Sequence, residues 1–348
     1  MTGAAPGTAP GPATAQPFPV LVTRRLPAPA MTRLAARCDL FVHEGDDAMP
    51  RAELLDRIAG RAGAVTLLTD RVDEELLEAA GPQLRIVANY AVGYDNIDVA
   101  ACTARGVLVS NTPEVLSEAT ADLAFALLLA AARRVAEGDR WIRAGRPWVW
   151  GPQFLLGGEV HGKQLGLIGF GRIGQAVARR ALGFAMSVVY ADVRAQPASV
   201  ERELGATRVE LRELLAGSDF VSIHTTLTDQ TRRLLDAERL AWMKPTAVLV
   251  NTARGPIVDE AALAAALRAG RLRAAGLDVY EHEPEVHPDL LACPQAVLLP
   301  HLGSATDETR QAMADLAVDN LLTALDGGRP PTAVNPEVLD RPTAPRPG

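Results

Sequence analysis

The chain has 348 residues, 48% hydrophobic and 22% charged, with 35 basic against 42 acidic side chains and a formal net charge of −7. At about 150 residues per domain, that length predicts two domains with room for sizeable cores. The mild acidic balance, with both signs mixed along the chain, excludes nucleic acid as the main partner, because phosphate binding needs a concentrated basic surface.

Residues 1–17 are almost all Ala, Pro, Gly and Thr and predict a disordered tail. They show no basic segment followed by an apolar core, so no secretory signal is visible and a cytoplasmic enzyme is expected. Short aliphatic or β-branched runs then alternate with longer Ala/Leu/Arg/Glu segments, the pattern of βα units on parallel sheets. Strands are predicted at Val20–Thr23, Asp39–Val42, Ala64–Leu68, Ile86–Asn89 and Val107–Val109, with helices at Arg51–Ile58 and Asp73–Ala80. Leu116–Arg133 reads as a long helix with Ser117 or Thr120 available to cap its start. Its apolar stretch, Leu123–Ala132, is far short of the roughly 20 residues of a membrane span. The Gly/Pro-rich stretch Gly145–Pro152 holds Trp148 and Trp150 just after Trp141. Aromatics there need a surface to cover, as a packed interdomain or subunit loop or as a pocket wall. A second βα series begins at Leu165, with strands near 187–190, 220–223, 247–250, 274–277 and 296–299. From about Gly327 the chain is again proline-rich and predicts a second tail. Cys38, Cys102 and Cys293 are isolated, with no CxxC motif and no disulfide framework, so no metal is expected.

The clearest motif is Gly169-Phe-Gly171-Arg-Ile-Gly174. Its context makes it more than a glycine turn: Leu165–Ile168 reads as the preceding strand, Gln175–Leu182 as the following helix, and a second strand ends at Asp192. Gly169 permits the tight turn, Gly171 lets a pyrophosphate approach the backbone, and Gly174 lets the helix pack on the sheet. The helix N-terminus then offers free N–H groups and its positive dipole end to phosphate. Asp192 can accept from the ribose hydroxyls and repels a 2′-phosphate, which favours NAD. Arg194 lies two residues on and keeps NADP open.

Five blocks in order carry a family resemblance: Gly169–Gly174, Val221–Thr228, Val250–Asp259, Ala275–Pro284 and Leu299–Thr306. With the upstream loops Leu67–Arg71 and Asn89–Asp98, they resemble the D-isomer-specific 2-hydroxyacid dehydrogenases from Val20 to Leu325. Within that family, Trp150–Gly157, Gly162–Gly166 and Gly174–Arg180 are most similar to glyoxylate/hydroxypyruvate reductases. The resemblance nominates Arg254, Glu283 and His301 as the catalytic group. Their chemistry fits the reduction of a 2-keto acid. His301 can protonate the developing alkoxide, Glu283 can hold its ring and raise its pKa, and Arg254 offers a charged fork to the carboxylate and carbonyl. Glu281 is a rival two residues away, and Glu283 is preferred because the family motif places the acid immediately before Pro284. The resemblance further places Gly169, Gly171, Arg172, Ile173, Gly174, Asp192, Thr225, Thr252, Ala253, Asp278, Gly303 and Ser304 around NAD, with Asp278 accepting from the nicotinamide carboxamide. His224 lies by similarity beside the cofactor and is given no chemical step. Val92, Gly93, Arg254 and Trp150 are implied substrate contacts, Trp150 by reaching the neighbouring subunit.

The implied fold is α/β, two Rossmann-like or flavodoxin-like domains with parallel sheets and a cleft between them. Its substrate-binding domain comprises residues 18–115 and 304–327, its NAD-binding Rossmann domain residues 116–303, and a proline-rich tail residues 328–348. Crossings near 115–125 and 300–310 would form a hinge. The expected activity is NAD(P)H-dependent reduction of glyoxylate or hydroxypyruvate by a homodimer, with a small 2-keto or 2-hydroxy acid as its only other partner. A 2-ketogluconate reductase, a D-lactate dehydrogenase, a short phosphoglycerate dehydrogenase or an NADH-sensing scaffold with little turnover are the alternatives.

Overall fold

A computed structural model describes residues 16–340. The expected N-terminal tail therefore lies almost wholly outside the described residues, as does the end of the C-terminal one. The chain divides into two units, one running to Pro113 and resuming at Gln311, the other spanning Glu114–Arg310. The expected return at residue 304 is thus moved to 311.

The first unit has five strands: β1 (Phe18–Val22), β2 (Cys38–Val42), β3 (Gly63–Thr66), β4 (Ile86–Asn89) and β5 (Leu108–Ser110). All pair in parallel in the order β2-β1-β3-β4-β5. This is the flavodoxin-like order, in which right-handed helical crossovers cover both faces. The sequence shows it as unbroken aliphatic runs, because strands buried on both faces cannot alternate with polar residues. Helix Asp307–Leu325 returns to this unit, and Leu321 lies close against Gly63.

The expected tail from residue 328 is corrected by the structure up to Asp340. Ala333 bridges Ser110 at the edge of β5. The buried Asn335 accepts from the Val109 N–H (2.7 Å) and donates to Thr103 Oγ1 (2.8 Å) and the Val107 carbonyl (3.0 Å). Each such buried bond contributes about 0.5–1.5 kcal/mol, enough to hold a segment with few apolar anchors.

The second unit has seven parallel strands: β6 (Gln164–Ile168), β7 (Ser187–Ala191), β8 (Ala206–Arg208), β9 (Phe220–Ile223), β10 (Val248–Asn251), β11 (Ala274–Leu277) and β12 (Ala296–Leu298). Their order, β12-β11-β10-β9-β6-β7-β8, reverses at β6, the doubly wound Rossmann pattern with its ligand crevice beyond the strand ends at the switch point. Alternate residues feed two cores. Val248 and Val250 join one with Leu165, Leu167 and Phe220, while Leu249 joins the other with Val221 and Ile223. Helix Ser117–Ala132 packs Ala121, Ala124, Leu128 and Ala131 into the first of these. Neither Ser117 nor Thr120 caps it. Leu116 occupies the cap position without a side-chain bond, and the Thr120 hydroxyl donates to the Gly303 carbonyl at 3.0 Å. Among the described residues no helix is long and apolar enough to cross a membrane.

Candidate active site

The nucleotide turn begins where β6 ends. Gly169 has φ 90°, and a Cβ there would lie 2.7 Å from the His224 carbonyl and the Thr225 nitrogen, so only glycine fits. Gly171 opens the helix Arg172–Leu182, and a Cβ added to it would meet nothing within 4 Å. That open side lies at a helix start whose first N–H groups have no carbonyl to bond. Ile173 packs partly into the core, and Arg172 pairs with Glu114 at 2.6 Å in solvent.

Asp192 follows β7 and braces this turn. Its Oδ2 accepts from the Phe170 N–H (2.8 Å) and its Oδ1 from the Arg194 N–H (2.9 Å). Arg208 on β8 donates from Nε (3.2 Å) and Nη2 (2.9 Å) to the Asp192 carbonyl. Each carboxylate oxygen keeps a lone pair for a ribose hydroxyl. Thr252, after β10, has a buried hydroxyl with no partner among the described residues, an acceptor or donor waiting for a ligand. The open glycine turn, the helix start and this orphan hydroxyl fit a dinucleotide. Next to Thr225, His224 bonds Ser222 Oγ through Nε2 at 2.8 Å, and burial pushes its pKa down to about 3, so the ring is neutral and gives no proton.

The catalytic candidates cluster on loops after β10, β11 and β12. His301 Nδ1 lies 2.8 Å from Glu283 Oε2, and Glu283 Oε1 accepts from the Tyr280 N–H at 3.1 Å. Burial alone would raise the Glu283 pKa. The bond and charge of His301 reverse that, with the Tyr280 N–H and Arg254 assisting, and hold the carboxyl below its ordinary value. Glu281 points elsewhere, 3.5 Å from Arg233, while its N–H donates to Glu260 Oε1 at 2.7 Å. Arg254 begins the turn Gly255–Ile257, and Asn251 Nδ2 holds its carbonyl at 2.9 Å. A Cβ on Gly255 would fall 1.8 Å from the Tyr280 carbonyl carbon. Glycine at that position therefore lets the Arg254 turn press against the loop that carries Glu283.

Asp278, fully buried, brackets His301. Its main-chain carbonyl accepts from the His301 N–H (2.9 Å), and its carboxylate accepts from the N–H groups of Leu302 (2.7 Å) and Gly303 (2.8 Å). Burial raises its pKa, while those two bonds and the His301 charge oppose the rise. Ser304 continues this loop, its carbonyl taking the Thr306 N–H at 3.0 Å. Ala253, beside Thr252, donates its N–H to Asn251 Oδ1 at 3.0 Å. The sequence did not reveal the bracing roles of Tyr280, Glu260 and Gly255. Their only signal was a place inside or beside the matched blocks.

Trp150 lies in the second unit, 80% exposed, with Val149 at 84% and Trp148 at 58%. Val92 and Gly93 belong to the first unit, on the loop after β4.

This arrangement, a dinucleotide turn followed by an arginine, an acid and a histidine on successive strand ends, defines a nucleotide-dependent oxidoreductase. The family model for the NAD-binding domain of D-isomer-specific 2-hydroxyacid dehydrogenases matches residues 125–303, and the chain belongs to that family. It is 49% identical to a glyoxylate reductase of Pyrococcus furiosus over 92% of this chain and 96% of that one. A crystal structure of a glyoxylate reductase from Paecilomyes thermophila matches with TM-score 0.82 at 36% identity, covering 92% of this chain and 99% of that one. An NADPH-dependent glyoxylate/hydroxypyruvate reductase of Sinorhizobium meliloti, in complex with NADP and malonate, matches with TM-score 0.80 at 35% identity, covering 95% and 100%.

Proposed function

We propose that the protein reduces glyoxylate and hydroxypyruvate to glycolate and D-glycerate with NADH or NADPH. The observation that carries this reading is the His301–Glu283 pair, 2.8 Å apart, on the strand-end loops of a nucleotide-binding sheet. A bound reduced nicotinamide supplies the hydride to the keto carbon. His301 donates the proton to the carbonyl oxygen as charge develops there, with Glu283 stabilising the imidazolium before transfer. Arg254 holds the substrate carboxylate and polarises the carbonyl. The N–H groups of Val92 and Gly93 also take the carboxylate, since backbone amides bind anions without a counter-charge. Gly171, Arg172, Ile173, Gly174, Asp192, Thr225, Thr252, Ala253, Asp278, Gly303 and Ser304 form the cofactor contacts in this reading, and the domain that resumes at Gln311 binds the substrate.

The same reading takes the enzyme to be a cytoplasmic homodimer. Val135, Ile142, Trp148, Val149, Trp150 and Leu156 are each more than half exposed within one continuous stretch. An apolar run of that size favours a partner surface. Trp150→Ala should raise KM for glyoxylate several-fold and relax selection against bulkier keto acids, roughly the effect of one lost aromatic contact. Unchanged substrate ranking would leave Trp150 a packing residue. The function itself is tested by a panel of 2-keto acids against NADH and NADPH, followed at the nicotinamide absorbance. Failure of glyoxylate and hydroxypyruvate to oxidise either cofactor would sink the reading and favour a binding protein.

A further inference from the structure

The loop after β4 is held in an unusual way. Three successive carbonyls each have a donor: Ala91 the Thr112 N–H (2.7 Å), Val92 Asn111 Nδ2 (2.8 Å) and Gly93 Asn89 Nδ2 (3.0 Å). These peptides are trans, and in a trans peptide the N–H points opposite to the carbonyl. Fixing three carbonyls therefore turns the N–H groups of Val92, Gly93 and Tyr94 away from residues 89, 111 and 112. Among the described residues none accepts from these three N–H groups. Consecutive free N–H groups presented together form an anion nest.

The two asparagines are themselves fixed. Asn89 is fully buried, and its Oδ1 accepts from the Thr66 hydroxyl at 3.2 Å. The Asn111 carbonyl accepts from Thr332 Oγ1 at 2.6 Å, and the Thr332 N–H donates to the buried Asn320 at 2.9 Å. The segment that follows helix Asp307–Leu325 thus reaches back to lock Asn111.

We propose that Asn111 is a positioning residue for the substrate carboxylate. Its side chain holds the Val92 carbonyl so that the Gly93 N–H stays presented, and the Thr332–Asn320 contact keeps Asn111 in place. This inference rests on the reading that Val92 and Gly93 bind the carboxylate. A carbonyl left free to rotate would swing toward the same face and replace a donor with an acceptor, which repels an anion.

The test is Asn111→Leu, which removes the donor at similar volume without adding charge. KM for glyoxylate should rise at least about tenfold, one lost charge-directed hydrogen bond, while kcat stays within about threefold. The NADH dissociation constant should be unchanged. If Asn111→Leu does not fold, judged by its melting curve, Asn111→Ala supplies the same comparison. A folded variant with parental KM overturns the proposal. Gly93→Pro separates it from the reading beneath, because it deletes the N–H itself. If Gly93→Pro raises KM and Asn111→Leu does not, the positioning role alone fails. If Gly93→Pro also leaves KM unchanged, the carboxylate is not held here and both fail.

Discussion

Two loops of the molecule are braced by opposite chemistry. After β12, the segment 301–303 is held by an acceptor: Asp278 takes the N–H groups of His301, Leu302 and Gly303 through its carbonyl and carboxylate. After β4, the segment 91–93 is held by donors, which take its carbonyls, and among the described residues nothing accepts from the N–H groups of Val92, Gly93 and Tyr94. The first arrangement consumes main-chain donors and leaves a side chain, His301, for the proposed proton transfer. The second keeps main-chain donors available and asks nothing of side chains beyond orientation. In the proposed reading the loop braced by Asp278 presents a side chain to the substrate, whereas the loop after β4 presents backbone N–H groups to its carboxylate.

The largest expected effect breaks the first loop's function and leaves the second intact. His301 has φ 55°, in the left-handed region that asparagine tolerates better than alanine, so His301→Asn is the cleaner variant. It should lower kcat by about 10²–10⁴-fold, the usual worth of a general acid, with the NADH dissociation constant unchanged. Set against Asn111→Leu, which should move KM, this splits the two loops into a kcat site and a KM site. A change confined to KM in His301→Asn, with parental kcat, would remove the histidine from proton transfer.

Asp192 repeats the acid-braced pattern, since it too accepts two main-chain N–H groups. Here the brace also faces the proposed ribose. A 2′-phosphate beside its carboxylate should cost about 2–3 kcal/mol, an advantage to NADH of roughly 30- to 150-fold in kcat/KM. Arg194, two residues on, and Arg208, whose guanidinium donates to the Asp192 carbonyl from β8, temper this. Asp192→Ser should narrow the gap and Asp192→Arg reverse it, measured as kcat/KM for both cofactors. Equal use of NADPH by the parent would mean that Asp192 is a brace without a role in selection.

How much of this was legible in the sequence follows the same physical divide. Strands such as β10, Val-Leu-Val-Asn, show as aliphatic runs because both faces are buried. Strand β8, Ala-Thr-Arg, buries a single residue at the sheet edge and left no such run. Helix Val135–Arg143 buries none, and Gly138 and Asp139 in its middle obscure the pattern. Composition suggested a tail from residue 328, but the order comes from Asn335, whose partners lie more than 220 residues away. The site divides likewise. The resemblance in local motifs nominated His301, Glu283 and Arg254, whereas the Asn111 contact with the Val92 carbonyl spans 19 residues and follows no local spacing.

The smallest effect sharpens the comparison inside the acid-braced loop. Glu283→Gln keeps an oxygen for the Tyr280 N–H but replaces the charged acceptor at His301 Nδ1 with an amide. The imidazolium loses its anionic partner, while the neutral ring loses little. In the proposed reading His301 gives the proton, so kcat/KM should fall while the NADH dissociation constant stays unchanged. Stability depends on pH through Glu283 itself. The Glu283 carboxyl is held below its ordinary pKa, so its contribution is complete above the ordinary carboxylate range and is lost as pH falls through the lowered value. The amide of the variant has no such titration, and the melting temperatures of parent and variant should converge as the pH drops below about 4. Parental kcat/KM, with melting curves that still converge, would make Glu283 a structural partner of His301 and not part of proton delivery.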